Sequence, residues 1–250
     1  MSHAHRGLAM IFSHEKFNMK DLPSRPETVI DCNNLSRVLK KLDFDVQIYK
    51  DLCYKNLRKT IIKAVAMDHS NNDCIFVAIL THGKIKDICA SDNSHAYDIK
   101  NEVYASDRSY ELESIWESFS ADKCPTLAGK PKIFIVQASR GNLRDPGYVV
   151  RSKGHIETDG DSESSYRIPT MADFLVAFCT VPKYRSWSNT LKGSWFIYNL
   201  CDELEANAHS MDMLSLLTFV SQRVANCESD ETQEKQILCV MSTLTRVLEF

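Results

Sequence analysis

The pentapeptide Gln137-Ala138-Ser139-Arg140-Gly141 closes an apolar run, Ile133-Phe134-Ile135-Val136, and Thr81-His82-Gly83 closes another, Cys74 to Leu80. A hydroxyl and an imidazole delivered by the ends of two buried strands are the parts of an acyl-transfer site: the imidazole takes the proton and the oxygen attacks. The residue type at position 139 limits that chemistry. A thiol, with a pKa near ~8.5, yields a thiolate with modest help, whereas a serine hydroxyl is an acid comparable to water, at ~16. Serine needs a base oriented by a third group, as in Ser-His-Asp triads. No carboxylate in the sequence is marked for that role. A dyad of His82 and Ser139 is therefore expected to be nearly inert.

Positioning these residues requires a sheet. Gly7 to Phe12 reads as a short apolar strand. Asp31 is placed to cap a helix over Cys32 to Leu42, where Leu35, Val38, Leu39 and Leu42 recur at helical spacing. Phe44 to Tyr49 alternates as a strand, Asn56 to Met67 returns to helical spacing, and Cys74 to Leu80 is continuous enough for a strand covered on both faces. After an irregular polar stretch come a helix near Leu112 to Phe119 and the strand Lys132 to Gln137. Phe174 to Thr180 reads as a strand, Ser194 to Ala206 and Met211 to Val224 as helices, and Ile237 to Met241 as a terminal strand. Strands alternating with helices predict an α/β fold of three layers, with a mainly parallel sheet flanked by helices. Ligands collect beyond the carboxyl ends of such strands, where His82 and Ser139 both fall.

Composition narrows the functional classes. A chain of 250 residues, 44% apolar and 25% charged with a net charge of -3, is an ordinary globular sequence with no basic block for nucleic acid or an anionic membrane. Its 8 glycines form no phosphate-binding loop. No apolar run approaches the ~18 residues of a membrane span, and no signal peptide opens the chain. Nine cysteines without a C-x-x-C pair fit reduced thiols and a cytoplasmic location. No metal or other cofactor is expected, and His3 and His5 read as a frayed terminus.

The pentapeptide resembles the caspase signature, which carries cysteine at its centre and a histidine about 50 residues upstream. The resemblance runs over nearly the whole chain. Gly7-Leu8-Ala9-Met10-Ile11-Phe12 looks like the family's first strand, and Ala172-Asp173-Phe174-Leu175, Tyr184-Arg185-Ser186-Trp187 and Lys192-Gly193-Ser194-Trp195-Phe196 look like its small-subunit segments. The resemblance implies a six-stranded caspase-like sheet, with a large-subunit region over 1–159 and a small-subunit region over 160–250. It implies His82 as general base, Gly83 in the oxyanion hole, Ser139 in place of the nucleophilic cysteine, and Arg25, Gln137, Ser186 and Trp187 as substrate contacts. The polar stretch from Asn142 to Tyr166 is expected to be a mobile intersubunit loop, with a processing site after Asp159 in Ile156-Glu157-Thr158-Asp159-Gly160. The few residues before Gly7 resemble the short prodomain of an executioner member.

The departures matter as much as the matches. Ser188 stands where the family keeps a second arginine facing the substrate's aspartate, Glu27 replaces a glycine beside Arg25, and Arg185 replaces an aromatic residue. One engineered exchange would account for Ser139 but not for the other three, so natural loss is expected. The implied function is a pseudocaspase that regulates apoptosis by pairing with an active caspase through the strand Ile237 to Met241, or with its own copy. Two alternatives stand beside it: aspartate-specific hydrolysis, and a decoy for caspase inhibitor proteins.

Overall fold

In the computed structural model, which describes residues 3–88, 98–145, 169–189, 192–229 and 233–250, the apolar runs become strands. In chain order the elements are β1 (Leu8–Ser13), α1 (Glu27–Lys41), β2 (Asp45–Lys50), α2 (Tyr54–Val65), β3 (Ile75–Leu80), β4 (Gly83–Ile88), β5 (Asp98–Tyr104), β6 (Ser109–Glu111), α3 (Glu113–Trp116), β7 (Lys132–Gln137), β8 (Phe174–Phe178), β9 (Ser188–Asn189), β10 (Gly193–Ser194), α4 (Trp195–Asn207), α5 (Met213–Asn226) and β11 (Cys239–Ser242). Six strands join in the order β11-β8-β7-β3-β1-β2. All neighbours are parallel except β11, which runs antiparallel to β8.

Strand side chains alternate between two cores. Ala9, Ile11, Phe76, Ala78, Ile133, Ile135, Leu175 and Ala177 face α1, α4 and α5, whereas Met10, Phe12, Val77, Ile79, Phe134, Val136 and Val176 face α2 and α3. Burial on both faces is why these strands read as continuous apolar runs. Three layers result, as expected. The chain steps from β1 outward to β2 and then crosses back to β3 on the other side of β1. That reversal opens a crevice at the carboxyl ends of β1 and β3, the usual ligand position in a doubly wound sheet.

Several expectations need correction. Asp31 does not cap α1. The helix begins a turn earlier, at Glu27 behind Pro26, because the buried Thr28 extends its inner face and Pro26 already holds a helical φ of -60°. Asp31 lies buried inside the helix and accepts hydrogen bonds from the Ser194 amide (2.8 Å) and hydroxyl. Gly193 precedes that serine with φ +87°, and a Cβ there would strike the Asp31 carboxylate.

The supposedly irregular stretch after His82 holds an antiparallel sheet ordered β4-β5-β6. Its signal was weak because only a few side chains, Val103 and Tyr110 among them, reach the core. The amino end is not frayed: the His5 amide donates to the Asn71 carbonyl (3.0 Å), and Asp73 binds both the His3 amide (2.9 Å) and the Arg6 guanidinium (3.3 Å). Nor is the start of the expected loop loose. Leu143 bridges to Tyr184 and Asp145 to Lys235. The rest of that loop, Asp159 included, lies outside the described residues.

The terminal strand starts two residues later and ends one residue later than expected, at Cys239–Ser242, on the edge of the sheet. Val240 is 39% and Met241 40% exposed there.

Candidate active site

Loop residues after β1 and the ends of β3, β7 and β8 converge at the crevice. Thr81 is the joint. Its amide donates to the Gln137 carbonyl (3.0 Å), its hydroxyl to the Tyr104 carbonyl (2.7 Å), and its own carbonyl accepts from the Arg25 guanidinium. The two strand-end motifs are thereby locked side by side.

Ser139 belongs to a small hydroxyl cluster. Its Oγ lies 3.1 Å from Ser186 Oγ and accepts the Ser186 amide at 3.2 Å, while Gln137 Nε2 donates to Ser186 Oγ at 3.3 Å. Gln137 Oε1, in a side chain only 1% exposed, has no partner among the described residues. Gly83 backs the cluster: a Cβ at this position would come within 2.6 Å of the Ser139 carbonyl oxygen and 2.9 Å of Ala138 Cβ.

His82 points elsewhere. Its Nε2 must carry a proton, because it donates to the Pro23 carbonyl at 2.8 Å, and a carbonyl can only accept. The ring rests against Phe17, with centroids 4.9 Å apart. Burial lowers its pKa, and the positive charge of Arg25 adds to that against the opposing pull of Pro23 and Glu27. The imidazole is therefore neutral near pH 7 and free to accept a proton at Nδ1. Among the described residues no hydrogen bond joins it to Ser139, and no carboxylate orients it. A serine triad is absent from this arrangement among the described residues.

Arg25 is 6% exposed, and burial lowers its pKa. A buried guanidinium needs a counter-charge; here it is Glu27, whose Oε1 lies 3.5 Å from Arg25 Nε. Trp187 donates its amide to Gln236 Oε1 (2.6 Å), stacks on Trp195 with centroids 6.1 Å apart, and carries the Arg185 guanidinium 5.7 Å from its ring. Ser188 follows on the exposed strand β9, paired to Ser194 on β10.

Of the residues singled out in the sequence, Gln137, Ser139 and Ser186 form one hydrogen-bonded group, with Gly83 against its backbone. Arg25 joins through Thr81 and His82 lies against Phe17 and Pro23, while Trp187 and Ser188 follow Ser186 in the chain and pack on Trp195, Gln236 and β10. Two further participants escaped notice. Cys179, just past β8, donates its thiol to the Ala138 carbonyl (3.2 Å) and also meets Ser186. Burial pushes it up to about 11, so this thiol is no substitute nucleophile. The rule that sites gather at the carboxyl ends of parallel strands would have found it. Gln236 donates to the Cys179 carbonyl (2.7 Å) and holds Trp187; nothing in its sequence neighbourhood announces that.

Known proteins resemble this chain along its whole length. The model of the caspase domain matches residues 6–249. The chain is 48% identical to caspase drICE of Drosophila melanogaster, covering 100% of this chain and 71% of that protein. It is 46% identical to caspase-1 of Spodoptera frugiperda, covering 100% and 80%. The crystal structure of Spodoptera frugiperda caspase-1 superposes with a TM-score of 0.86 at 44% identity, covering 99% of this chain and 92% of that one.

Proposed function

Because the chain belongs to the caspase family of cysteine peptidases, we propose that it is a catalytically silent member that regulates apoptosis by pairing with an active caspase. The observation that carries this reading is Ser139, whose hydroxyl is engaged by Ser186 while His82 is turned onto a backbone carbonyl. Among the described residues no hydrogen bond joins His82 to Ser139 and no carboxylate backs the imidazole, so the hydroxyl would have to be activated without the contacts of a Ser-His-Asp triad. Ser188 adds a second deficit, since one guanidinium stands where the family uses two, and losing one partner of a desolvated charge pair costs about 2–5 kcal/mol.

Family members dimerise. The apolar, half-exposed edge of β11 supports that role for the carboxyl-terminal strand, because a strand edge carrying Val240 and Met241 invites a partner strand. Titrating the pure chain into an active caspase relative tests the proposal. We expect a saturable change in the relative's rate on an aspartyl peptide, no turnover by the chain alone, and loss of the effect in Val240→Glu. No change in the relative's rate at any concentration would sink it.

A second reading, aspartate-specific hydrolysis through Ser139, is favoured by the neutral His82 and the retained Gly83 and Gln137. It requires turnover by this chain in isolation.

A further inference from the structure

We propose that Glu27 converts the Arg25 crevice from a carboxylate site into one that selects an uncharged carboxamide, so that the pocket prefers an asparagine side chain to aspartate. The inference rests on reading Arg25 and Gln137 as the walls of a peptide side-chain pocket.

Charge is the first argument. Arg25 is buried at the ends of the central strands, and its Nε faces Glu27 Oε1 at 3.5 Å. The pair sums to zero before any ligand arrives. Ser188, on β9, carries a hydroxyl and no charge. A carboxylate entering this space meets the like charge of Glu27 beside the guanidinium it would use, an unfavourable juxtaposition in a desolvated pocket, although Arg25 Nε itself makes no hydrogen bond among the described residues.

The second argument is independent and concerns an orphaned acceptor. Gln137 Nε2 is committed to Ser186 Oγ, which leaves Gln137 Oε1 buried without a donor among the described residues. Buried acceptors of this kind seek an N–H. A carboxylate offers only more acceptors. A carboxamide offers both halves of the match: an N–H for Gln137 Oε1 and a carbonyl for the guanidinium. A site built to hydrogen-bond one group rejects the analogue that leaves its polar atoms unpaired.

Fluorescence anisotropy on the whole chain tests this with two labelled tetrapeptide amides identical except for a final Asn or Asp. The Asn peptide is expected to bind about tenfold tighter or better. In Glu27→Gln, which keeps the size but removes the charge, the preference should move toward Asp by about tenfold. Equal or tighter binding of the Asp peptide to the unaltered chain overturns the proposal, as does a ratio that Glu27→Gln leaves unmoved; in both cases saturable binding leaves the pocket reading itself intact. If neither peptide binds either protein saturably, the pocket reading fails and the inference fails with it.

Discussion

Asp31 ties the two halves of the chain together, and its protonation should write itself into the pH dependence of stability. The carboxyl is 1% exposed, inside α1, and its hydrogen bonds to the Ser194 amide and hydroxyl are opposed by a larger desolvation cost. Burial raises it from an ordinary 3.8 to about 6, with the Ser194 bonds and Arg25 pulling back down and Glu27 adding to the rise. A carboxyl whose folded pKa is raised binds its proton more tightly in the native state. Its contribution is thus fully present below about 3.8 and is lost as pH climbs through about 6. At ~1.4 kcal/mol for each tenfold, ionising Asp31 withdraws up to ~3 kcal/mol of stability by neutral pH. Asp31→Asn removes the titration while keeping an acceptor for the Ser194 amide and placing a donor beside its hydroxyl. Urea denaturation of both proteins from pH 4 to 8 is the assay. The stability difference between variant and parent should move by about 2–3 kcal/mol in favour of the variant across that window. Parallel curves for the two proteins would refute the argument, because every other titrating group is common to both.

Two further outcomes bear on the site itself. The double exchange Ser139→Cys with Ser188→Arg should raise aspartyl-peptide hydrolysis well above that of the parent, since a thiolate at that position needs less help than a hydroxyl. A dead double variant with an unchanged melting curve would show that a thiol and a second guanidinium are not enough, leaving Glu27 beside Arg25 or the hold of Pro23 on His82 as the obstacle. Gly83→Ala should destabilise the fold by about 1–3 kcal/mol in chemical denaturation, because the atoms its methyl meets are the Ser139 carbonyl, the Ala138 methyl and the Glu102 carbonyl, and backbone cannot swing aside. A change below about 0.5 kcal/mol would mean that the β4 and β7 ends are not packed as closely as described.

The features that carry the proposal of a silent site were legible from residue types alone. Serine at 139 is a statement about acidity that no fold can reverse without an oriented base, and Ser188 and Glu27 are visible in the same way. The sheet was equally plain, because strands buried on both faces must be apolar throughout. Period-based reading failed where burial is one-sided and short, as in β4 to β6, and where a polar residue serves the interior. Asp31 has the composition of a helix cap, yet its partner is Ser194, on a strand far along the chain.

What the amino-acid order could not contain was the pairing of atoms across that distance. Tertiary structure turned His82 onto the Pro23 carbonyl, set Glu27 against Arg25, buried the Cys179 thiol and left Gln137 Oε1 without a donor among the described residues. Each is a contact between segments joined only by folding, and its direction depends on side-chain placement at the ångström scale. Residue identity determined which chemistry was available here; geometry decided which group each charge and each hydrogen-bonding atom would face.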